Sequence, residues 1–276
     1  MLSIANEVDS LFFPLHTCIF PTLDVDLAEK VIKGIVDGCQ QSACALLGGE
    51  VFGLFYSYYL FSLLKNLLVS MSALHLIYHV VYSPGIVRVH FMGFAVDIVK
   101  KDSVIDGRDI VAGDVLIGLP SSGIHSNGFS PVRQVLTQSG LSLEHKVPGE
   151  DVTLGEALMA PTVIYVMQVL DIISKGGIKG IAHITGGGFL DNIPRVFPKV
   201  LGAVIHNNSW EVPSVFKWIQ EGKIEDDEMR QTFNMGIGMV LVVSKEASYR
   251  ILESGNGAYK AYRIGKVVSG EGVSYH

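Results

Sequence analysis

The sequence twice contains a short apolar strand, a polar glycine-rich loop and the start of a helix, in that order. The first unit begins at Asp114 and continues through PSSGIHSNGFSP; the second begins at Ile178 and continues through HITGGGF. Glycines in such loops let the backbone approach a ligand closely, and free N–H groups before a helix favour an anion. The alternation of strands and helices predicts a layered protein of mixed α/β class.

Composition and charge favour a globular protein that acts on small molecules. Hydrophobic residues make up 49% of the 276 residues, enough for one large core or two smaller ones. The net charge is −6 and the 21 Lys and Arg residues form no dense basic cluster, so nucleic acid is not an expected partner. Cys18, Cys39 and Cys44 lack the spacing of a metal site or a disulfide framework. They are expected to be reduced, either as core residues or as thiols without a function.

The loop of the first unit carries three polar candidates. His125, Ser126 and Asn127 can donate to a phosphate or hold a substrate amide. Histidine also transfers protons near neutral pH, so His125 is a candidate catalytic residue, with a structural loop histidine as the alternative. Ser130 is expected to cap the next helix, with Pro131 at its first position.

The second loop consists of Thr185 followed by Gly186, Gly187 and Gly188, with Asn192 on the helix that follows. Further helices are predicted from Ala157 to Lys175, before this loop, and from Asp226 to Thr232, after it. Three consecutive glycines cost backbone entropy that a tight turn or a close ligand would justify. The spacing matches neither a Walker loop nor a dinucleotide-binding fingerprint, so neither of these sites is predicted.

In the N-terminal half, the periodicity predicts an amphipathic helix over Leu23–Cys39. The segment CALLGGE then predicts an apolar strand that runs into a turn at Gly48 and Gly49. Glu50 at the tip of this turn is a candidate for facing a metal or a nucleotide, with a plain turn as the alternative.

Residues 51–83 form an apolar stretch whose only formal charge is Lys65. The stretch is long enough to span a bilayer, but the mid-run lysine and the lack of basic flanks argue against a membrane span. A buried helix pair is a second interpretation, because Leu63, Leu64, Leu67, Leu68 and Met71 have helical spacing. A third hypothesis is an intron retained in frame between Glu50 and Gly93, which sequencing of the transcript would test.

Six blocks of the sequence together resemble phosphoribosylformylglycinamidine cyclo-ligase, also called AIR synthetase. They are LDVDLAEKVIKGIVDGC, CALLGGE, GDVLIGLPSSGIHSNGFS, ALMAPTVIYV, IAHITGGGFLDNIPRVFP and FNMGIGMVLVV, and IVKKDSVIDG is similar to the plant enzymes. The polar connection Val104–Gly113 is the predicted domain boundary. The resemblance implies a partial N-terminal ATP-binding domain at 1–106, with an atypical apolar insert at 51–91, and a C-terminal AIR-synthetase-like α/β domain at 107–276.

The resemblance also implies a reaction, a cofactor set and a partner. The reaction is the ATP-dependent cyclisation of formylglycinamidine ribonucleotide to aminoimidazole ribonucleotide in purine synthesis, with Mg²⁺ beside the nucleotide and a homodimeric enzyme. The family motifs assign ATP binding to Gly48, Gly49 and Glu50, catalysis to His125 and Asn127, and substrate or phosphate binding to Ser126, Thr185, Gly186, Gly187, Gly188 and Asn192.

Three departures from the family fall in the ATP-binding half and predict impaired activity. No Asp-Gly-Val-Gly-Thr-Lys motif precedes Leu23. A Phe-Phe-Leu-Asp-Tyr motif is reduced to Leu11-Phe12-Phe13, so its Asp is absent. After Glu50, the apolar stretch replaces the family sequence Thr-Ala-Glu-Met-Pro-Asp. An inactive remnant that acts as a binding or dimerisation module is one alternative. A related ATP-using enzyme, formylglycinamidine ribonucleotide amidotransferase or selenophosphate synthetase, is another.

The resemblance to plant enzymes predicts a chloroplast location, with the cytoplasm as the alternative. The first twenty residues contain Glu7 and Asp9 but no Lys or Arg, so an intact transit peptide is not expected at this N-terminus.

Overall fold

The computed structural model describes residues 15–20, 25–44, 46, 48–53, 75–80, 90–95, 99–254 and 260–276. Spatial contacts divide the chain into two units, and the break along the chain falls between Ser103 and Val104. No helix in the described ranges combines the length and the apolar character that crossing a membrane requires.

The described part of the first unit contains one α-helix, a short 3₁₀ helix (Lys101–Ser103) and a four-stranded sheet. Its elements are β1 (Leu15–Phe20), α1 (Val25–Gln41), β2 (Gly48–Gly53), β3 (His75–Val80) and β4 (His90–Ala95). The strand order is β2-β1-β4-β3, with β1 and β2 parallel and the other neighbours antiparallel. The helix predicted over Leu23–Cys39 is thereby confirmed as α1.

The predicted turn at Gly48 and Gly49 is wrong. Both residues and Glu50 belong to strand β2, where they pair with residues 15–17 of β1. Pairing with a neighbouring strand satisfies the backbone groups, and this tertiary contact overrides the local turn preference of two glycines. Within the apolar stretch, residues 51–53 and 75–80 are strand, while the helix pair considered around Leu63 to Met71 lies outside the described residues.

The second unit contains a sheet whose described strands follow the order β10-β7-β9-β5-β8-β6. Its strands are β5 (Val115–Pro120), β6 (Ile178–His183), β7 (Leu201–Ile205), β8 (Ile237–Val243), β9 (Tyr262–Ser269) and β10 (Gly272–Tyr275). Its α-helices are α2 (Phe129–Ser139), α3 (Leu154–Leu158), α4 (Val166–Ser174), α5 (Gly188–Asn192), α6 (Ser214–Glu221), α7 (Asp226–Thr232) and α8 (Lys245–Ser254), and a 3₁₀ helix (Pro194–Val196) follows α5. The pair β10–β7 is parallel and the other neighbouring pairs are antiparallel.

Both faces of this sheet are buried, because alternate residues of its central strands enter two different cores. Leu116 of β5 and Val240 of β8 belong to one core, which also contains Phe189 of α5. Ile117 and Leu241, one position further along, belong to the other core, which is packed by α4 and α8. Strand β8 is buried along its whole length, as expected for a central strand covered on both faces. The sequence-based prediction of a mixed α/β architecture is confirmed.

Two local predictions need correction. The helix predicted from Ala157 to Lys175 is two helices, α3 and α4, because Pro161 lacks an N–H and disfavours helical backbone at the residue before it. Helix α2 begins at Phe129 after Gly128, so Ser130 is not its cap. Gly128 has a φ of 78°, and a Cβ there would lie 2.2 Å from the Phe233 ring.

Candidate functional site

The topology brings both glycine-rich loops to one edge of the second sheet. Strands β5 and β6 each pair antiparallel with β8, which lies between them. Their C-terminal ends therefore share an edge with the N-terminal end of β8. Three segments meet there: the first loop (residues 121–128), the glycine loop (residues 185–188) and the turn before β8 (residues 234–236). We take this edge as the candidate site.

Asn127 joins the first loop to the glycine loop. Its Nδ2 donates to the backbone oxygen of His125 at 2.9 Å, and its Oδ1 accepts from the backbone N–H of Gly186 at 3.2 Å. One amide side chain thus donates to its own loop and accepts from a loop 59 residues away. The two loops predicted from sequence are therefore parts of one structure.

Asn234 holds the first loop in place through side-chain hydrogen bonds. Its Oδ1 accepts from the Ser121 hydroxyl and from the Gly236 N–H, each at 2.8 Å, and its Nδ2 donates to the Gly123 oxygen at 2.8 Å. The side chain is 2% exposed, so each of these bonds replaces a lost contact with water. Asn234 is a positioning residue that the sequence analysis did not single out.

Replacing Asn234 with Asp is expected to destabilise the second unit by about 3 kcal/mol, while leaving side-chain volume unchanged. The substitution replaces the Nδ2 donor with a carboxylate oxygen that faces the Gly123 oxygen. Two buried acceptors then oppose each other with no donor between them, which lowers the free energy of unfolding. Urea unfolding followed by tryptophan fluorescence measures the loss. Exposed Asn208→Asp is the control, and equal stability of the two variants would contradict the bracing role.

Asn192 fixes the shape of the glycine loop from inside. Its Nδ2 donates to the Gly188 oxygen at 2.7 Å and to the Gly186 oxygen at 3.2 Å, and its Oδ1 receives the Thr185 hydroxyl at 3.2 Å. The Arg195 guanidinium also donates to this Oδ1, at 3.2 Å. Asn192 is buried, and its polar atoms are engaged by the loop itself. The geometry favours a positioning role for Asn192, with the loop backbone as the surface that a ligand would meet.

His125 is buried beneath the first loop, with 4% of its surface exposed. Its Nε2 lies 3.1 Å from the backbone N–H of Ser122 and 3.3 Å from that of Val163, and both groups donate to it. Because Nε2 accepts these bonds, the proton of the neutral ring belongs on Nδ1. Nδ1 is buried and has no hydrogen-bond partner among the described residues.

Burial, and secondly the charge of nearby His183, lower the pKa of His125 from 6.5 to about 4. His125 is therefore neutral throughout the physiological range. Gly238 of β8 makes room for the ring, because a Cβ there would lie 2.7 Å from its Cε1 and 2.2 Å from the Tyr165 hydroxyl. These contacts suit a residue that holds the loop in place, and the catalytic assignment of His125 stays a prediction.

The backbone of the first loop is strained where its candidate residues lie. His125 and Ser126 take left-handed φ values of 49° and 59°, which non-glycine residues rarely adopt. Strain of this kind persists where the surrounding structure enforces it, and it is concentrated at functional sites. Ser126 is exposed at the tip of the loop and is available to a ligand.

The remaining predicted site residues lie in the first unit. Gly48, Gly49 and Glu50 belong to β2, and the structure describes their backbone but not the Glu50 side chain. Across the described ranges, no three His, Cys, Asp or Glu side chains converge as a metal site would require. Glu50 as a metal ligand therefore stays a prediction from the sequence.

Comparison with known sequences finds AIR-synthase-related proteins and phosphoribosylformylglycinamidine cyclo-ligases. A family model described as AIR synthase related protein, C-terminal domain, matches residues 111–276. The cyclo-ligases of Vigna unguiculata, named chloroplastic/mitochondrial, and Arabidopsis thaliana, named chloroplastic, are each 63% identical to the chain, over 92% and 99% of its length. The chain covers 59% and 64% of these two proteins, less than two thirds of either. The cyclo-ligase of Bacillus cytotoxicus is 42% identical over 99% of the chain and 72% of its own length.

Solved structures support the same fold at low sequence identity. The hydrogenase maturation protein HypE in complex with ATP superposes with a TM-score of 0.60 at 14% identity, covering 95% of this chain and 66% of that one. Thiamine monophosphate kinase from Aquifex aeolicus complexed with AMPPCP and TMP gives 0.57 at 14% identity, covering 98% and 72%. At this identity the likeness concerns the fold alone.

Proposed function

Because the chain belongs to the phosphoribosylformylglycinamidine cyclo-ligase family, we propose that it carries the substrate-binding half of the ATP-dependent synthesis of aminoimidazole ribonucleotide. The observation that carries the proposal is the hydrogen bond by which Asn127 joins the first loop to the glycine loop. Formylglycinamidine ribonucleotide has a phosphate and an amide-like group, and these loops offer backbone N–H groups, a hydroxyl and an amide for them.

The reaction requires little covalent chemistry from the protein. The γ-phosphoryl group of ATP is transferred to the formyl oxygen, ADP departs, and the amidine nitrogen attacks the activated carbon to close the ring and release phosphate. Rate enhancement then comes from orienting the two reacting ends and from stabilising negative charge. Rigid loops braced by Asn192 and Asn234 suit this task, because donors that are already fixed need no reorganisation when charge develops.

We assign different roles to the residues of the first loop. Ser126 and the Asn127 amide are proposed substrate contacts, and the glycine loop Thr185–Gly188 is the proposed phosphate-binding segment. His125 is proposed as a positioning residue that supports them, because its ring nitrogens are enclosed and its pKa is low. A proton transfer by His125 would require its ring to leave this position.

ATP, supplied with Mg²⁺ as the nucleotide's counterion, is the proposed co-substrate. The family membership supports ATP, as does the shared fold of proteins whose structures contain ATP or AMPPCP. Gly48, Gly49 and Glu50 remain the proposed nucleotide contacts. A homodimeric state and a chloroplast location are proposed from the family and from the names of the plant relatives.

The test is ATP-dependent formation of aminoimidazole ribonucleotide by the purified 276-residue chain. A second chain would carry the family's N-terminal motifs and family-like sequence in place of residues 51–91. Activity in the second chain alone supports the proposed reaction and the predicted impairment of the first. Activity in both supports the reaction but contradicts the impairment. If neither chain forms aminoimidazole ribonucleotide but substrate binding is retained, the binding-module alternative is favoured over the cyclo-ligase.

Replacing Asn127 with Ala is expected to weaken binding of formylglycinamidine ribonucleotide about 10- to 100-fold, because the loops lose their shared bond and the substrate loses an amide contact. Isothermal titration calorimetry on the 276-residue chain measures this effect without any need for ATP. Exposed Gln138→Ala, on helix α2, is the control and should bind as the parent does. Unchanged affinity in Asn127→Ala would remove Asn127 from the proposed site.

A further inference from the structure

Helix α1 ends in a turn that brings two cysteines together. The N–H of Cys44 donates to the Cys39 oxygen at 2.9 Å, the N–H of Ala43 donates to the Gln40 oxygen at 3.1 Å, and Ala43 has a left-handed φ of 53°. These three features define a Schellman motif, in which the side chains at the positions of Cys39 and Cys44 commonly touch. Apolar residues usually form that contact, whereas here both are cysteines.

Both thiols of this turn are free. The Cys44 thiol donates to the backbone oxygen of Cys39 at 3.4 Å, so its sulfur lies against the residue that carries the other thiol. Both residues are half-buried, so small oxidants can reach them. Burial, followed by the charge of Cys39, raises the pKa of the Cys44 thiol to about 11. The reduced Cys44 is therefore a protonated thiol at neutral pH.

We propose that Cys39 and Cys44 form an oxidative modification site, at which a disulfide closes across the C-terminal turn of α1. A disulfide requires two Cα atoms within about 4.4–6.8 Å and Cβ atoms that face each other. Two main-chain hydrogen bonds hold this turn closed independently of the sulfur atoms. Bond formation then requires rotation of the two side chains and no rearrangement of the helix.

The chemistry is thiol–disulfide exchange with the disulfide of a small thiol, for which oxidised glutathione is the probe. The Cys39 thiolate attacks one sulfur of oxidised glutathione, forming a mixed disulfide and releasing one glutathione thiolate. The Cys44 thiolate then attacks the Cys39 sulfur and releases the second glutathione. Two protein thiols are oxidised, one glutathione disulfide is reduced to two thiols, and the two protons that leave the protein thiols are taken up by the departing glutathione thiolates.

The consequence is local, because the bridge encloses six residues and joins the end of α1 to the connection that leads into β2. The main-chain bonds of this turn should open less often once the bridge fixes both ends. Hydrogen exchange of the Cys44 amide is expected to slow about ten-fold on oxidation. This inference is independent of the proposed reaction.

The test uses the full chain in glutathione buffers that run from fully reduced to fully oxidised, followed by acid quenching, alkylation of free thiols and peptide mass spectrometry. The expected product is a peptide containing a Cys39–Cys44 bridge, with a mass lower by two hydrogens and a yield independent of protein concentration. Cys18 should remain alkylated. Absence of the bridge in the most oxidising buffer, or preferential pairing of either cysteine with Cys18, would overturn the proposal.

Two variants separate an internal bridge from simple surface oxidation. In Cys39→Ser and in Cys44→Ser, the remaining cysteine should be trapped as a mixed disulfide with glutathione, whereas Cys18→Ser should form the bridge as the parent chain does. The rate of bridge formation should rise with pH, because each step requires attack by a thiolate. Equal amounts of mixed disulfide in the parent chain and in Cys44→Ser would also contradict an internal bridge.

Discussion

Gly188→Ala is expected to destabilise the second unit by about 3–5 kcal/mol and to abolish the substrate binding proposed for the glycine loop. Gly188 has a φ of 55°, a conformation that costs a non-glycine residue about 1–2 kcal/mol. A Cβ at this position would lie 1.9 Å from the Arg230 oxygen and 3.1 Å from the Phe233 oxygen. Both neighbours are backbone atoms, so the clash is relieved by moving either α7 or the loop.

Gly186→Ala is the control for this substitution, two residues earlier in the same loop. A Cβ at Gly186 meets only the Asn127 Oδ1, at an ordinary contact distance of 3.7 Å. Its loss of stability should stay within about 1 kcal/mol. Urea unfolding and calorimetric titration with formylglycinamidine ribonucleotide measure the two effects separately. Similar stabilities in the two variants would show that the loop does not adopt the conformation described above.

Acidification from pH 7 to pH 4 is expected to cost the second unit about 3 kcal/mol through His125 alone. The pKa of His125 is about 4 in the folded chain and 6.5 ordinarily, so the unfolded chain binds the proton more tightly. Stability therefore falls as pH drops below 6.5 and levels off below 4. Burial also lowers the pKa of His183, which adds to the loss in the same direction.

Tryptophan fluorescence isolates this effect, because both tryptophans of the chain, Trp210 and Trp218, belong to the second unit. Urea unfolding at pH 7, 5.5 and 4 should show a steeper loss in the parent chain than in His125→Gln, which has no titrating ring. The exposed His145→Gln variant should follow the parent. Parallel pH profiles for the parent chain and His125→Gln would show that His125 is not the titrating group.

Much of the second unit is determined by local sequence. The helix predicted at Asp226–Thr232 is found with those bounds, and the strand carrying His183 precedes the glycine loop as expected. Periodicity and glycine content act over a few residues, so they can be recognised without any knowledge of the fold. The family resemblance is also visible in the sequence alone, because six family-like blocks occur in order along one chain.

The tertiary structure decided the features that depend on distant partners. Asn234 lies 113 residues from Ser121 along the chain, and its bracing role exists only because β8 lies between β5 and β6. The burial of His125 likewise depends on Gly238 and Val163, which no local pattern connects to it. At Gly48 and Gly49, pairing with β1 overrode a turn preference. Local sequence thus specified the loops, while strand order determined which side chains hold them and which atoms remain free to bind a ligand.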